Sequence, residues 1–207
     1  MAKKKYYIYL SLFCWVVGAG QLWAQEQQLW QPFEERRREL QRSGSAVLGS
    51  WALLNIGSGL AMASQTNGST QHFYEMNAYW NIVNLALAVP GFIAARPGRQ
   101  PQYRNPRESL LEQRKIERIF LINAGLDLGY VAGGYYLSRL SSRDKPAQEA
   151  RFVGFGQSIM AQGAFLLGYD LWMYLRHRRN RLQHHDSLEQ RLSLYPQPYG
   201  MGLIYRF

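Results

Sequence analysis

Residues 45–64 read SAVLGSWALLNIGSGLAMAS, twenty consecutive positions without a charged side chain. About 20 apolar residues are what a helix needs to cross a hydrocarbon core. Large apolar side chains fall here in both odd and even positions, whereas a half-buried strand requires strict alternation. The stretch therefore predicts a helix. Three stretches of similar character follow at 76–95, 119–138 and 152–175; the first of these is again uncharged, and the other two hold one aspartate each, Asp127 and Asp170. A soluble four-helix bundle needs a charged outer face on every helix, and none of the four supplies one. The expected fold is all-α, a four-helix transmembrane bundle.

Working outward, the chain starts with Lys3, Lys4 and Lys5, an apolar run over 6–19 and a short polar-and-small region ending at Ala24-Gln25. That is the pattern of a secretory signal with cleavage after Ala24, the alternative being an uncleaved N-terminal anchor. Cys14, the one cysteine, lies inside the apolar run and would leave with it, so no disulfide is expected in the mature chain. Residues 25–44 form a polar lead-in in which Leu29, Trp30, Phe33 and Leu40 are spaced like a short amphipathic helix. The expected segments are thus a signal at 1–24, the lead-in at 25–44, the membrane domain at 45–175 and a basic tail at 176–207. A length of 207 residues without a region of contrasting composition suits one domain.

The formal charge of +10 and the pI near 9.9 do not point to nucleic acid, because the basic residues sit in blocks between apolar stretches rather than along an aromatic-bearing surface. With four spans, one side of the membrane would carry sixteen Lys and Arg without Arg206, and the other side four. That asymmetry puts the basic side in the cytoplasm of an inner-membrane protein, while an export signal delivers residue 25 onward to the far side. Either the first segment fails to translocate, or the protein resides in a membrane where the charge rule does not apply. The expected localisation is the bacterial cell envelope.

The ending Tyr199, Met201, Leu203, Tyr205, Phe207 alternates like the closing strand of an outer-membrane barrel, but the body lacks that alternation and follows helical spacing. The tail, set off by Pro196 and Pro198, is expected to be a short strand that pairs with a partner's edge or with nothing. Leu54-Asn55-Ile56-Gly57 matches Ile122-Asn123-Ala124-Gly125, and basic clusters follow both the second and the fourth span. This suggests two tandem helical hairpins of like orientation, with chance similarity of apolar segments as the equal alternative.

The stretch 117–130, ERIFLINAGLDLGY, with GFGQS at 154–158 and QGAFL at 162–166, resembles a family of small four-helix envelope proteins from Bacteroidota. That resemblance covers most of the mature chain. It implies the same helical membrane architecture and carries no activity.

Chemistry within the spans rests on polar residues. Asn77, Asn81 and Asn84 share one stripe of the second helix; Asn123, Asp127 and Tyr130 share one of the third. Asp170 shares a face of the fourth with Gly163, Leu166 and Tyr174, with Gln162 flanking it. Polar stripes in lipid turn inward, so these helices are expected to meet across a hydrogen-bonded interior. Counting ~1.5 Å per residue from the basic end brings Asp127 and Asp170 to similar depths. Gly125, Gly129 and Gly133 form a small-residue ridge for close helix packing, within the bundle or between protomers. His184-His185-Asp186 reads as solvated tail rather than metal site, and His72 and His177 as interfacial singletons. No phosphate loop, Ser-His-Asp set or HExxH arrangement occurs. No cofactor or metal is expected. The leading functional reading is a non-enzymatic accessory or scaffold subunit of an envelope assembly, with membrane lipids and an envelope protein or a second copy as partners. The alternative is a small proton- or cation-conducting carrier using Asp127 and Asp170, and the third is a lipid-acting membrane enzyme.

Overall fold

The computed structural model describes the backbone of residues 2–96, 106–140, 145–189, 193–197 and 200–204, and side chains over 30–96, 108–140 and 145–183. Four helices dominate: α1 Ala2–Ala63, α2 Gly68–Ala94, α3 Pro106–Ser138 and α4 Pro146–Glu189. A hairpin of strands β1 Ser193–Gln197 and β2 Gly200–Ile204 follows. The chain divides into a compact unit spanning 37–181 and a second unit made of 1–36 and 182–207.

Every helix is longer than the apolar stretch that predicts it. Residues 2–63, which hold the lead-in, the first span and nearly all of the expected signal, form one helix that runs through Pro32. Residues 25–44 are rich in Gln, Glu and Arg, which are strong helix formers, and Glu34 precedes Arg38 by one turn, the order that supports a helix surface. The basic tail expected from 176 is helical to Glu189, and α3 starts at Pro106 inside the expected basic loop. The rest of that loop, 97–105, lies outside the described residues, as do the side chains of His184, His185 and Asp186 and all of Tyr199, Tyr205 and Phe207.

In the 37–181 unit, α1 and α2 are joined by four residues, which makes them antiparallel neighbours. Thr66 and Ser64 hydroxyls donate to the carbonyls of Met62 and Ala61 at 2.8 Å, satisfying acceptors left open at the end of α1. Gly68 then starts α2 at φ +63°, a left-handed conformation that side chains with a Cβ rarely adopt. The four helices run up, down, up, down: Arg37 at the start of the α1 part meets Ser109 at the start of α3, and Ser43 meets Arg176 late in α4.

The unit is polar inside and apolar outside. Asn77, Asn81, Asn84, Gln113, Glu117, Asp127, Ser158, Gln162, Asp170 and His177 are all buried, Asn81 and Gln113 completely. Leu54 is 71% exposed and Leu87 67%, and Leu53, Leu60, Ile82, Val83, Ile122, Leu126, Leu128 and Leu175 are exposed as well. Among the described residues one helix segment, Trp30–Ala63, is long and apolar enough by length and composition to cross a membrane. The other three expected spans are diluted by the Asn, Gln, Ser and Asp side chains that fill the interior.

In the other unit, Trp30 and Phe33 meet edge to face with centroids 5.6 Å apart. β1 and β2 pair antiparallel, with Tyr195 opposite Gly202 and Pro196 opposite Met201. The tail strand therefore has a partner in its own chain, and Pro196 lies inside the strand rather than isolating it.

Candidate functional site in the polar interior

The asparagine stripe of α2 owes its place to 3-4 spacing, which stacks Asn77, Asn81 and Asn84 on one helix face. That face is turned inward, and its amides bond one another: Asn81 Nδ2 donates to the Asn77 carbonyl at 2.8 Å, and Asn84 Nδ2 to Asn81 Oδ1 at 3.1 Å. From α4, Ser158 Oγ donates to Asn77 Oδ1 at 2.6 Å and Gln162 Nε2 to the same oxygen at 3.0 Å. Gln162 reaches α1 too, donating to Asn55 Oδ1 at 3.2 Å and accepting from Trp51 Nε1 at 2.9 Å. One amide therefore ties three helices together. The Trp51 ring stacks on Phe165, centroids 3.8 Å apart and 6° from parallel, which holds the indole N–H on line.

Deeper toward the basic end, Asp127 of α3 and Asp170 of α4, both buried, lie close enough to interact electrostatically. They meet because nothing separates the backbones: a Cβ at Gly163, two turns before Asp170, would lie 3.1 Å from the Asp127 carbonyl oxygen. Asp127 is 3% exposed, and its Oδ2 is buried without a hydrogen-bond partner. The other members of the expected stripes take different places. Asn84 bonds Asn81 rather than either acid, and Asn123 is half-buried. Tyr130 is exposed and packs edge to face on Trp80, centroids 4.8 Å apart.

Of the two packing roles expected for the glycine ridge, within the bundle or between protomers, the described residues do not show the first. Gly125, Gly129 and Gly133 have nothing within 4 Å of a built Cβ, so among the described residues no neighbouring helix packs closely against them. Close packing of α3 falls at Gly134, where a Cβ would lie 2.6 Å from the Gly156 carbonyl oxygen and 2.6 Å from the Met160 nitrogen. Gly154 likewise packs against the backbone of Ser69 on α2.

A second polar layer closes the basic end and was not foreseen. Arg181 Nε donates to Glu117 at 2.9 and 3.1 Å, and Arg37 to the Ser109 carbonyl and hydroxyl at 3.1 Å. Gln113 Nε2 shares its two hydrogens among Glu117 Oε1 at 3.2 Å, the His177 carbonyl at 2.8 Å and His177 Nδ1 at 3.2 Å. An amide nitrogen only donates, so Nδ1 accepts and the imidazole proton is on Nε2. His177 is 1% exposed and stacks on Phe120, the opposite of an interfacial singleton. Burial, then the charges of Arg37 and Arg176, push its pKa from 6.5 down to about 4. The 3-4 spacing of Gln113, Glu117, Phe120, Ala124 and Asp127 was the sequence signal for this layer. Among the described residues no group of three or more His, Cys, Asp and Glu is placed to hold a metal ion.

The segment carrying the upper network and the acid pair is also what other sequences share. Residues 47–171 match the family described as Family of unknown function (DUF6992). The chain belongs to that family. The match spans every residue from Trp51 to Asp170 in the network and the acid pair, and stops short of His177 and Arg181. No curated protein matches the chain, and no solved structure matches it.

Proposed function

We propose that the protein is an integral membrane bundle of the bacterial cell envelope, with all four helices crossing the bilayer, and that it acts as a non-enzymatic accessory or scaffold subunit. The observation that carries this reading is the inverted packing of the 37–181 unit. A water-soluble bundle buries leucine and exposes asparagine; this one buries Asn77, Asn81, Asn84, Gln162 and Asp127 and exposes Leu54, Leu87, Ile82 and Leu126. In hydrocarbon the arrangement is the favourable one, since polar side chains must find partners inside the protein and apolar ones are solvated by lipid. Arg42 over Phe92 and Arg176 over Trp172, at 5.2 and 4.8 Å, place paired cations and rings at one end of the apolar zone, as at a bilayer interface. The uncontacted face of Gly125, Gly129 and Gly133 is the surface a partner helix would approach.

The test uses the full chain with Cys14 replaced by serine. Single cysteines at Lys115 and Gln65, both exposed and at opposite ends of the bundle, are treated with a membrane-impermeant thiol reagent on sealed vesicles. Resistance to alkaline extraction with labelling of the two sites from opposite faces is expected. Release by alkali, or labelling of both sites from one face, removes the membrane reading.

A further inference from the structure

We infer that the basic end of the 37–181 unit is a docking surface for the headgroups of anionic phospholipids, centred on Arg42 and Arg176. The inference deepens the membrane reading proposed above and rests on it.

The geometry starts from three small residues. Ser43, Gly44 and Ser45 let two helices close on α1 at one level: a Cβ on Gly44 would lie 2.7 Å from Met173 Sδ of α4, and one on Gly91 of α2 would lie 2.6 Å from Ser45 Oγ. Each of these neighbours brings a ring alongside α1, and each ring carries a guanidinium. Arg42 lies over Phe92 of α2, 5.2 Å from the ring centroid, and Arg176 over Trp172 of α4 at 4.8 Å. Arg176 is held further by donating to Ser43 Oγ at 3.3 Å. Both rings are 38% exposed, so each pair presents an apolar face beside a cation. A phospholipid answers both halves, with its phosphate on the guanidinium and its glycerol and upper acyl chain on the ring, whereas a free anion would use the cation alone.

Charge is the second, independent observation. Stretches 37–43, 96–118 and 176–181, which lead into or out of the apolar segments at this end, hold fourteen Lys and Arg against four Asp and Glu. The opposite stretches, 64–75 and 139–151, hold four against three. Among the described residues Arg114, Arg118, Arg178 and Arg179 are exposed with no carboxylate in ion-pair range, while Glu117 is taken by Arg181 and Glu112 by Lys115. An excess of one sign this large repels itself until counter-charge arrives. Beside a bilayer that counter-charge is the anionic headgroup, attracted by each Lys or Arg within a Debye length of the surface.

Full-length protein in a neutral detergent is incubated with fluorescent phosphatidylglycerol or phosphatidylcholine, and the lipid retained on the captured protein is measured. Phosphatidylglycerol should be retained in preference, and less of it as salt rises. Arg42→Gln and Arg176→Gln should each weaken its retention about fivefold, the attraction one arginine supplies near a lipid surface. Arg151→Gln, exposed at the opposite end, should leave retention unchanged. Equal retention of the two lipids overturns the proposal, and wild-type protein alone decides that point if a variant fails to fold. Displacement of the lipid by inorganic phosphate at millimolar concentration also overturns it, since the site would then be one for a free anion, as does an Arg151→Gln loss equal to the other two. Alkaline extraction reads membrane insertion separately: protein that resists alkali yet shows no lipid preference removes this inference and leaves the four-span reading standing.

Discussion

Gly134 and Gly156 bring α3 and α4 together backbone to backbone: a Cβ on Gly134 would lie 2.6 Å from the Gly156 carbonyl oxygen. Neither a carbonyl nor a helix nitrogen can move aside as a flexible side chain can, so a larger residue must push the helices apart. Overpacking of this kind costs about 1–3 kcal/mol. Gly134→Leu is therefore expected to destabilise the bundle by at least that much in reversible unfolding in mixed micelles. Gly129→Leu, on open surface five residues earlier, should stay within ~0.5 kcal/mol in the same assay. Equal losses from the two would mean that the α3 face has been assigned wrongly.

The contrast shows what spacing alone conveys. Gly125, Gly129 and Gly133 announce a ridge because they recur every four residues, and a ridge is visible in sequence whether or not anything lies against it. Gly134 has no such repeat; its role depends on Gly156, twenty-two residues away. Polar stripes are more legible, because lipid or water alone decides which way an asparagine face must turn. Asn77, Asn81 and Asn84 follow from that rule, and the depth of Asp127 and Asp170 follows from counting turns. Ser158, Trp51 and Asn55 did not announce themselves, since a serine or tryptophan in an apolar stretch is chemically unremarkable until its partner is known. The burial of His177 was hidden by its neighbours: Arg176, Arg178 and Arg179 read as a solvated flank, yet Glu117 and Gln113 draw one face of α4 into the bundle past the last apolar residue.

Gln162 is the clearest test of that interior. Its amide contacts Trp51, Asn55 and Asn77 on two other helices. Removing it leaves several buried groups without partners at once, at about 1–3 kcal/mol for such a group in general and typically under 1 kcal/mol per bond in membrane bundles. Gln162→Leu is expected to lose roughly 1–3 kcal/mol in total. Gln157→Leu, exposed on the same helix, should change little. Chemical unfolding of the two variants side by side measures the difference.

His177 sets a pH dependence whose sign can be worked out. Its folded pKa is about 4, against 6.5 for the free side chain. Between those values the unfolded chain binds a proton that the folded chain refuses, so stability falls as pH falls through this window and is fully present above it. The contribution amounts to at most roughly 3 kcal/mol, at about 1.4 kcal/mol per unit. His177→Gln should flatten the fall in melting temperature between pH 6.5 and pH 4 relative to the wild-type protein. Parallel curves for the two proteins would show that the imidazole titrates freely and is not held in the layer with Gln113 and Arg37.

Leu54 lies at the middle of 45–64 and is 71% exposed; Leu87 lies near the middle of 76–95 and is 67% exposed. What surrounds them decides the outcome of an arginine substitution. In water, replacing an exposed leucine is nearly neutral, within ~0.5 kcal/mol, and removes an aggregation-prone surface. At the centre of a membrane span the same change costs about 3–4 kcal/mol, because arginine is disfavoured there by ~2.5–3.5 kcal/mol and leucine was itself favourable. Leu54→Arg and Leu87→Arg are expected to reduce the alkali-resistant membrane fraction of expressed protein, and the double variant to abolish it. Lys115→Arg, at an exposed basic-end position, serves as the control and should leave that fraction unchanged. Soluble, folded and more stable double-arginine protein would be the signature of a bundle whose leucines face water, and it would remove the four-span reading while leaving the Gln162 network and the acid pair as they stand.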